Sequence, residues 1–348
     1  MQVTNQETAK LRDSNMELLR IAAMILVLIV HASFKALGAP TLPCLQTNPI
    51  STFFRFFSES ISIISVNVFV LISGWYGVKM RYSRLLAFLF QVYCLNIIMH
   101  CIMSIGERET DSMNIKSWLN LCDQYWFVKA YIILYILAPI LNTFTDKASK
   151  KQVRQFLIAF FSIQTIIGFV WVSDFSKGYS VLSFIGLYIL ARYIRLYPVK
   201  YIQLNKYTYL TLYLIATVVT TATALLLFVL EKDFWRMYSY CSPFVIFASV
   251  NILLFFSKIS IQSKIVNWVA ISCFAAYVVH CSPIFFSTYL STIKDWFDNV
   301  DTLAFLLYTT LWIAGVFIMA ILLDKIRIFI WELITELFLK TKELCNHS

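Results

Sequence analysis

About ten apolar runs, each close to the ~20 residues that a bilayer core demands, follow one another along this chain. They cover residues 18–37, 54–78, 85–105, 125–144, 153–171, 181–196, 207–230, 239–256, 266–290 and 303–323. No hydrophilic stretch between them is long enough to make a soluble domain. Composition agrees, because 59% of the 348 residues are hydrophobic and only 14% are charged, whereas soluble domains carry about 25% charged residues. The expected fold class is all-α, a polytopic transmembrane helix bundle of about ten helices. Around it we expect an N-terminal segment over 1–17, a membrane domain over 18–323 and an amphipathic helical tail over 324–348. Residues 1–16 are polar and no small-residue cleavage site follows the first run, so that run is expected to stay as the first span.

The net charge of +10 would suggest nucleic acid in a soluble protein. Here it is sorted by side. With the N-terminus in the cytoplasm, about 20 of the 29 Lys and Arg fall on the inner side, about 8 on the outer side, and Lys129 lies within a span. That bias follows the positive-inside rule and predicts a multi-pass protein of the inner (plasma) membrane with both termini cytoplasmic. A basic inner face attracts anionic lipid head groups and anionic cofactors, and nucleic acid is not an expected partner. The tail "DKIRIFIWELITELFLKTKEL" has one apolar and one polar face and is expected to lie along the inner surface. The longest outer loop, near 106–124, carries Glu107, Glu109, Asp111 and Asp123, and any chemistry must sit within the bundle.

Ionisable side chains at membrane depth are costly, and they usually face a bundle interior or a water-filled path. The first span holds three, in "ELLRIAAMILVLIVH". Arg20 and His31 are 11 residues apart, which leaves about 20° of net rotation and about 16 Å of axial rise. Glu17 lies one turn before Arg20 on the same stripe. One face thus carries an acid and an arginine at the inner mouth and an imidazole near mid-membrane. Taken alone, Glu17 and Arg20 also fit an interfacial salt bridge. His280 sits about 14 residues into its span, as His31 sits about 13 into the first, so the two are expected at similar depth. Tyr277 is one turn from His280. The pair His280 and Tyr277 fits a second polar centre, or simply a hydrogen-bonded histidine near the outer interface.

Arg20, ten residues and then His31 resembles the first helix of the acyltransferase-3 family of integral membrane acyltransferases. "VNVFVLISGWYGVKMRYSRLL" is similar to that family's second helix with its Ser-Gly turn and basic loop. "YWFVKAYIILYILAPILN" resembles its Trp-Phe helix, and "ISCFAAYVVHCSPIF" its late Ser, Tyr and His helix. The resemblance runs in order from Glu17 to about Phe285, with departures at Lys129 and at Cys281. It implies an O-acyltransferase that takes an acyl group, acetyl foremost, from cytoplasmic acyl-CoA to a surface glycan or lipid-linked saccharide. Acetyl-CoA is then the donor substrate, and its phosphates call for cations at the inner face. Arg20, Arg81 and Arg84 are the candidates, although Arg81 and Arg84 also read as topogenic charges.

Acyl transfer to a hydroxyl needs a base for its proton and stabilisation of a tetrahedral oxyanion. A neutral imidazole suits the first task, so His31 is the candidate base, with Arg20 and Glu17 beside it on the catalytic stripe. Trp126, Lys129, Tyr277 and His280 are candidates for acceptor or oxyanion contacts. Trp126 also fits an aromatic belt, and Lys129 a snorkelling side chain. Arg55 and Glu59, four residues apart at the outer end of the second span, read as a surface pair. The eight cysteines show no C-x-x-C and no Cys/His spacing of metal-site type, so no metal is expected. Cys44, Cys122 and Cys241 fall near the outer face, where nothing specifies a disulfide. The competing reading is a transporter or flippase for a lipid-linked saccharide; against it, no paired broken helices or two-fold repeat stand out.

Overall fold

A computed structural model describes residues 13–106, 125–197 and 200–346. The acidic loop near 106–124, Cys122 and the polar lead-in through residue 12 lie outside them. Among the described residues the chain is helical and contains no strand. We number the helices α1 (Ser14–Val30), α2 (Leu42–Thr47), α3 (Pro49–Ser62), α4 (Ser65–Tyr76), α5 (Tyr82–Gly106), α6 (Trp126–Lys147), α7 (Lys150–Ile163), α8 (Val181–Leu196), α9 (Lys206–Val229), α10 (Pro243–Ser257), α11 (Lys264–Ser272), α12 (Ala275–His280), α13 (Pro283–Asn299) and α14 (Thr302–Asn346).

Among the described residues, eight stretches are long and apolar enough to cross a membrane, and α3 with α4 counts as one of them. A bent pair, Lys264–His280 with Pro283–Asn299, brings the number to nine when its two halves are taken together as one broken span. The remaining expected span is α8, a helix of 16 residues, which at 1.5 Å per residue is about 24 Å and short of a ~30 Å core. The multi-pass helix bundle is therefore what the apolar runs imply. One run differs from expectation. Residues 266–290 do not form a continuous span, because the chain bends by 84° between His280 and Pro283. Pro283 opens α13 at its first turn, where its missing N–H costs nothing. The tail is helical and continues the last span without a turn between them.

α1 lies at the centre and packs against α3, α4, α10, α11 and α12. Its buried face is Met16, Leu19, Ala23, Met24, Val27 and Leu28. Tyr289 on α13 donates its hydroxyl to the Leu28 carbonyl at 2.9 Å, tying the bent pair to α1. Tyr125 donates to the Val278 carbonyl at 2.8 Å, and Ser282 to Asn96 Oδ1 at 3.2 Å, so the bend itself is held by polar contacts. The Ser73-Gly74 pair lies within α4 rather than in a turn. A Cβ on Gly74 would come within 2.4 Å of the Tyr188 carbonyl oxygen, so glycine is what lets α4 and α8 touch. The turn comes at Gly77, whose φ of 63° is left-handed and suits a residue without a side chain.

Candidate active site

Successive turns of α1, α4 and α6 line two adjoining cavities. The first, of about 590 Å³, is bordered by Glu17, Arg20, Ser73, Tyr76, Lys79, Arg81, Arg84 and Tyr131. Three arginines and a lysine thus converge at one end of the bundle. Glu17 holds Arg20 through an ion pair of 2.5 Å. Because that carboxylate is largely buried, it fixes the guanidinium against the cavity wall. Arg81 is anchored through its backbone N–H, which donates to the Tyr135 hydroxyl at 3.0 Å, and this leaves its side chain exposed.

The second cavity lies deeper and is bordered by Met24, Val27, His31, Phe69, Trp126, Phe127, Tyr240, Phe274 and Tyr277. Arg20, Met24, Val27 and His31 follow helical spacing, and the stripe expected from the sequence thus runs from the first cavity into the second. The other walls continue in the same way. On α4, Ser73 borders the basic cavity and Phe69, one turn away, borders the deep one. On α6, Tyr131 and Phe127 do likewise, their rings stacked at 5.6 Å. The deep cavity measures only about 20 Å³, room for about one water.

At its wall, His31 Nδ1 meets His280 Nε2 at 2.8 Å. The two histidines expected at similar depth are therefore in direct contact. His280 Nδ1 lies 2.5 Å from the Ala276 carbonyl oxygen. A carbonyl can only accept, so His280 carries its proton on Nδ1. Its Nε2 is then the acceptor, and His31 Nδ1 the donor. By this relay the free lone pair of the neutral pair falls on His31 Nε2. The tautomer that a general base needs is set by a backbone carbonyl two groups away. The Phe286 ring packs edge-on against His31 at 5.4 Å.

The chain just beyond His31 is irregular. Residues His31–Lys35 form a π-turn, within which Ser33 leaves helical geometry at φ −87°, ψ −118°. Such a break and the helix end that follows it leave backbone groups without helical partners, and α3 supplies an acceptor for the first and a donor for the second. Glu59 accepts the Phe34 N–H at 3.3 Å, with the Ser33 side chain alongside. One turn earlier, Arg55 donates to the carbonyls of Gly38 at 2.6 Å and Leu37 at 3.3 Å. These two residues are not the surface pair their spacing suggested. They do not meet each other, and Glu59 is buried. Both fasten the end of α1 on which His31 is carried.

On the far side of the deep cavity, Trp126 packs against Tyr179 at 4.5 Å and Tyr240 at 6.0 Å. Tyr179 follows a loop in which Val172, Asp174, Ser176 and Lys177 all adopt positive φ, each at a cost of about 1–3 kcal/mol. Ser239 and the Tyr240 N–H both donate to the Lys177 carbonyl at 3.0 Å and hold the loop in place. Tyr277 borders the deep cavity as well, its ring 6.1 Å from His280. Lys129 does not join them: it is exposed on α6 and borders neither cavity. Sequence reasoning missed Tyr179 and Tyr240, which come from loops with no periodic signal, and it missed the part played by Arg55 and Glu59. Cys44 and Cys241 are both free thiols.

The fold and site define a membrane-embedded helix bundle with ionisable side chains along its central helix, and comparison with known families specifies which class of protein it is. The family model described as an acyltransferase domain matches residues 13–323. The chain is a membrane acyltransferase and belongs to the acyltransferase-3 family. No curated protein and no solved structure matches it.

Proposed function

We propose that this protein transfers an acyl group, acetyl foremost, from cytoplasmic acyl-CoA to a hydroxyl of a surface glycan or lipid-linked saccharide. The observation that carries the reading is the His31–His280 relay at the end of a stripe that begins in a basic cavity. The arginine end faces the cytoplasm of a cell whose plasma membrane the bundle spans, in keeping with its excess of basic residues. Arg20, Arg81 and Arg84, joined by Lys79, hold the phosphates of the donor. The pantetheine arm lies along the aromatic faces of Tyr131, Phe127 and Phe69, and about 16 Å of α1 carries the thioester from Arg20 to His31.

The acceptor enters from the other side, past Trp126, Tyr179 and Tyr240, whose ring faces suit a sugar. His31 Nε2 takes the hydroxyl proton as the oxygen attacks the thioester carbonyl. The C–O bond forms, the C–S bond breaks, and the proton passes from His31 to the departing CoA sulfur. His280 keeps His31 in the required tautomer throughout. A cavity with room for about one water must widen to admit both substrates. The aromatic side chains around it are the parts that have to move.

The test uses purified protein in lipid vesicles with labelled acetyl-CoA and a glycan acceptor. His31→Ala is expected to retain expression and thermal unfolding behaviour while losing acceptor-dependent release of CoA. Unchanged transfer by that variant would sink the reading. Acceptor binding with no loss of thioester by the native protein would favour a carrier instead.

A further inference from the structure

Nδ1 of His31, Nε2 of His280 and Sγ of Cys281 lie within 4.8 Å of one another. Two imidazole nitrogens and a thiolate form a donor set that ions of the zinc class favour, with bonds of about 2.0–2.1 Å to nitrogen and about 2.3 Å to sulfur. A tetrahedral centre with those bonds holds its nitrogens about 3.3 Å apart and nitrogen and sulfur about 3.6 Å apart. The protein holds the corresponding atoms at 2.8 and 3.3 Å. These two pairs need to open by about half an ångström at most, and the third, His31 Nδ1 to Cys281 Sγ, lies within 4.8 Å and needs to close by about 1 Å at most to reach the same geometry. The outer contacts suit it as well. His280 already donates its second nitrogen to the Ala276 carbonyl, the kind of contact that orients a metal-ligating histidine. Cys281 follows α12 at the bend, where the chain leaves helical geometry, and this turns its sulfur back toward the His280 ring. The three ligands come from two segments 249 residues apart, so no sequence spacing shows them.

We propose that His31, His280 and Cys281 form a binding site for a soft divalent ion of the zinc class, and that its occupation switches the acyltransferase off. The inhibitory half rests on the proposed role of His31. In the metal-free pair His31 carries its proton on Nδ1 and its lone pair on Nε2. An ion that takes the Nδ1 lone pair drives the ring proton to Nε2, and the hydrogen bond to His280 is replaced by two metal–nitrogen bonds. Cys281 gives up its thiol proton to water, so one proton is released per ion bound. No electron changes hands. The nitrogen that would accept the proton of a sugar hydroxyl now bears one itself. Inhibition follows from an inverted tautomer as well as from a filled space.

Cobalt(II) is the probe, because thiolate ligation gives it a sulfur-to-metal charge-transfer absorption that needs no substrate to be read. Detergent-purified full-length protein is expected to develop that band, to saturate at one ion per chain, and to lose the band when Zn²⁺ displaces the cobalt. Cys281→Ser, which leaves both histidines in place, is expected to lose the band. In the transfer assay Zn²⁺ is expected to abolish activity of the native protein and a chelator to restore it, while Cys281→Ser continues to work with zinc present. Absence of the band in the native protein overturns the site, as does an undiminished band in Cys281→Ser. A saturated band with full transfer activity overturns the switch. Because the cobalt signal is independent of turnover, a chain that transferred no acyl group at all would still leave the metal site open to this test.

Discussion

Replacing Glu59 by leucine tests whether the π-turn beyond His31 is a device for aiming the base. The carboxylate accepts the buried Phe34 N–H at 3.3 Å. Leucine removes the acceptor, and a buried donor left without one costs about 1–3 kcal/mol. The bond is slightly long for N–H···O, so the loss belongs toward the lower end, about 1–2 kcal/mol. Stability should therefore fall only modestly. Activity should fall much further, because the freed segment follows His31 directly in the chain. A shift of about 1 Å in a reacting group is enough for a roughly 100-fold loss of rate. The assay is thermal unfolding in detergent beside kcat in vesicles, with Glu59→Gln as the control. Glutamine keeps an accepting oxygen at the same reach and is expected to recover most of the rate. A Glu59→Leu protein with native turnover would refute the clamp. Glu59→Gln as impaired as leucine would refute the hydrogen-bond account of it.

Three further outcomes follow from the geometry. His280→Ala deprives the His31 Nδ1–H of its acceptor and lets the ring adopt either tautomer, so kcat should drop within the ~10²–10⁴-fold range of general-base catalysis; His280→Gln, which offers an accepting oxygen, should drop less, and equal rates for the two would count against the relay. Arg81→Ala and Arg84→Ala should each raise KM for acetyl-CoA about tenfold with kcat preserved, since one charge-assisted contact of about 1.5 kcal/mol is lost; a change in kcat alone would contradict a donor-phosphate role. Gly74→Val should prevent stable folding, because its Cβ would press on the Tyr188 carbonyl oxygen, and a normal melting profile would show that α4 and α8 can separate.

How far these features can be read from the sequence depends on how local they are. Arg20, Met24, Val27 and His31 share a face because a helix of known period carries them, so the stripe is legible from one segment alone. The apolar runs are equally local. The contact between His31 and His280 is not. Depth can be counted from the start of each span, but the direction a side chain faces depends on how α1 and α12 are rotated against each other. The bend after His280 carried a signal in Ser282-Pro283, since proline removes a helical donor and restrains the residue before it, yet the apolar run through Leu290 masked it. Arg55 and Glu59 failed for a different reason. Their spacing suggests a pair because opposite charges one turn apart attract. Their real partners are backbone groups, the Phe34 N–H inside a π-turn and the Leu37 and Gly38 carbonyls at the helix end beyond it, and no side-chain pattern announces such a turn.

The rings that close the deep cavity have a second consequence besides shaping the proposed substrate path. On the proposed function, with acyl-CoA arriving from one side and a glycan from the other, the site is open, in principle, from both faces of an energised membrane. Across such a membrane one elementary charge falls through about 2.3 kcal/mol per 100 mV, and a file of waters past two imidazoles would conduct protons down that gradient. Phe69, Phe127, Phe274 and Tyr277 leave space for about one water beside His31, which interrupts any such file. In electrical terms the aromatic girdle is an insulator. An enzyme that works as proposed would bring two compartments within bonding distance of one nitrogen without short-circuiting the membrane that separates them.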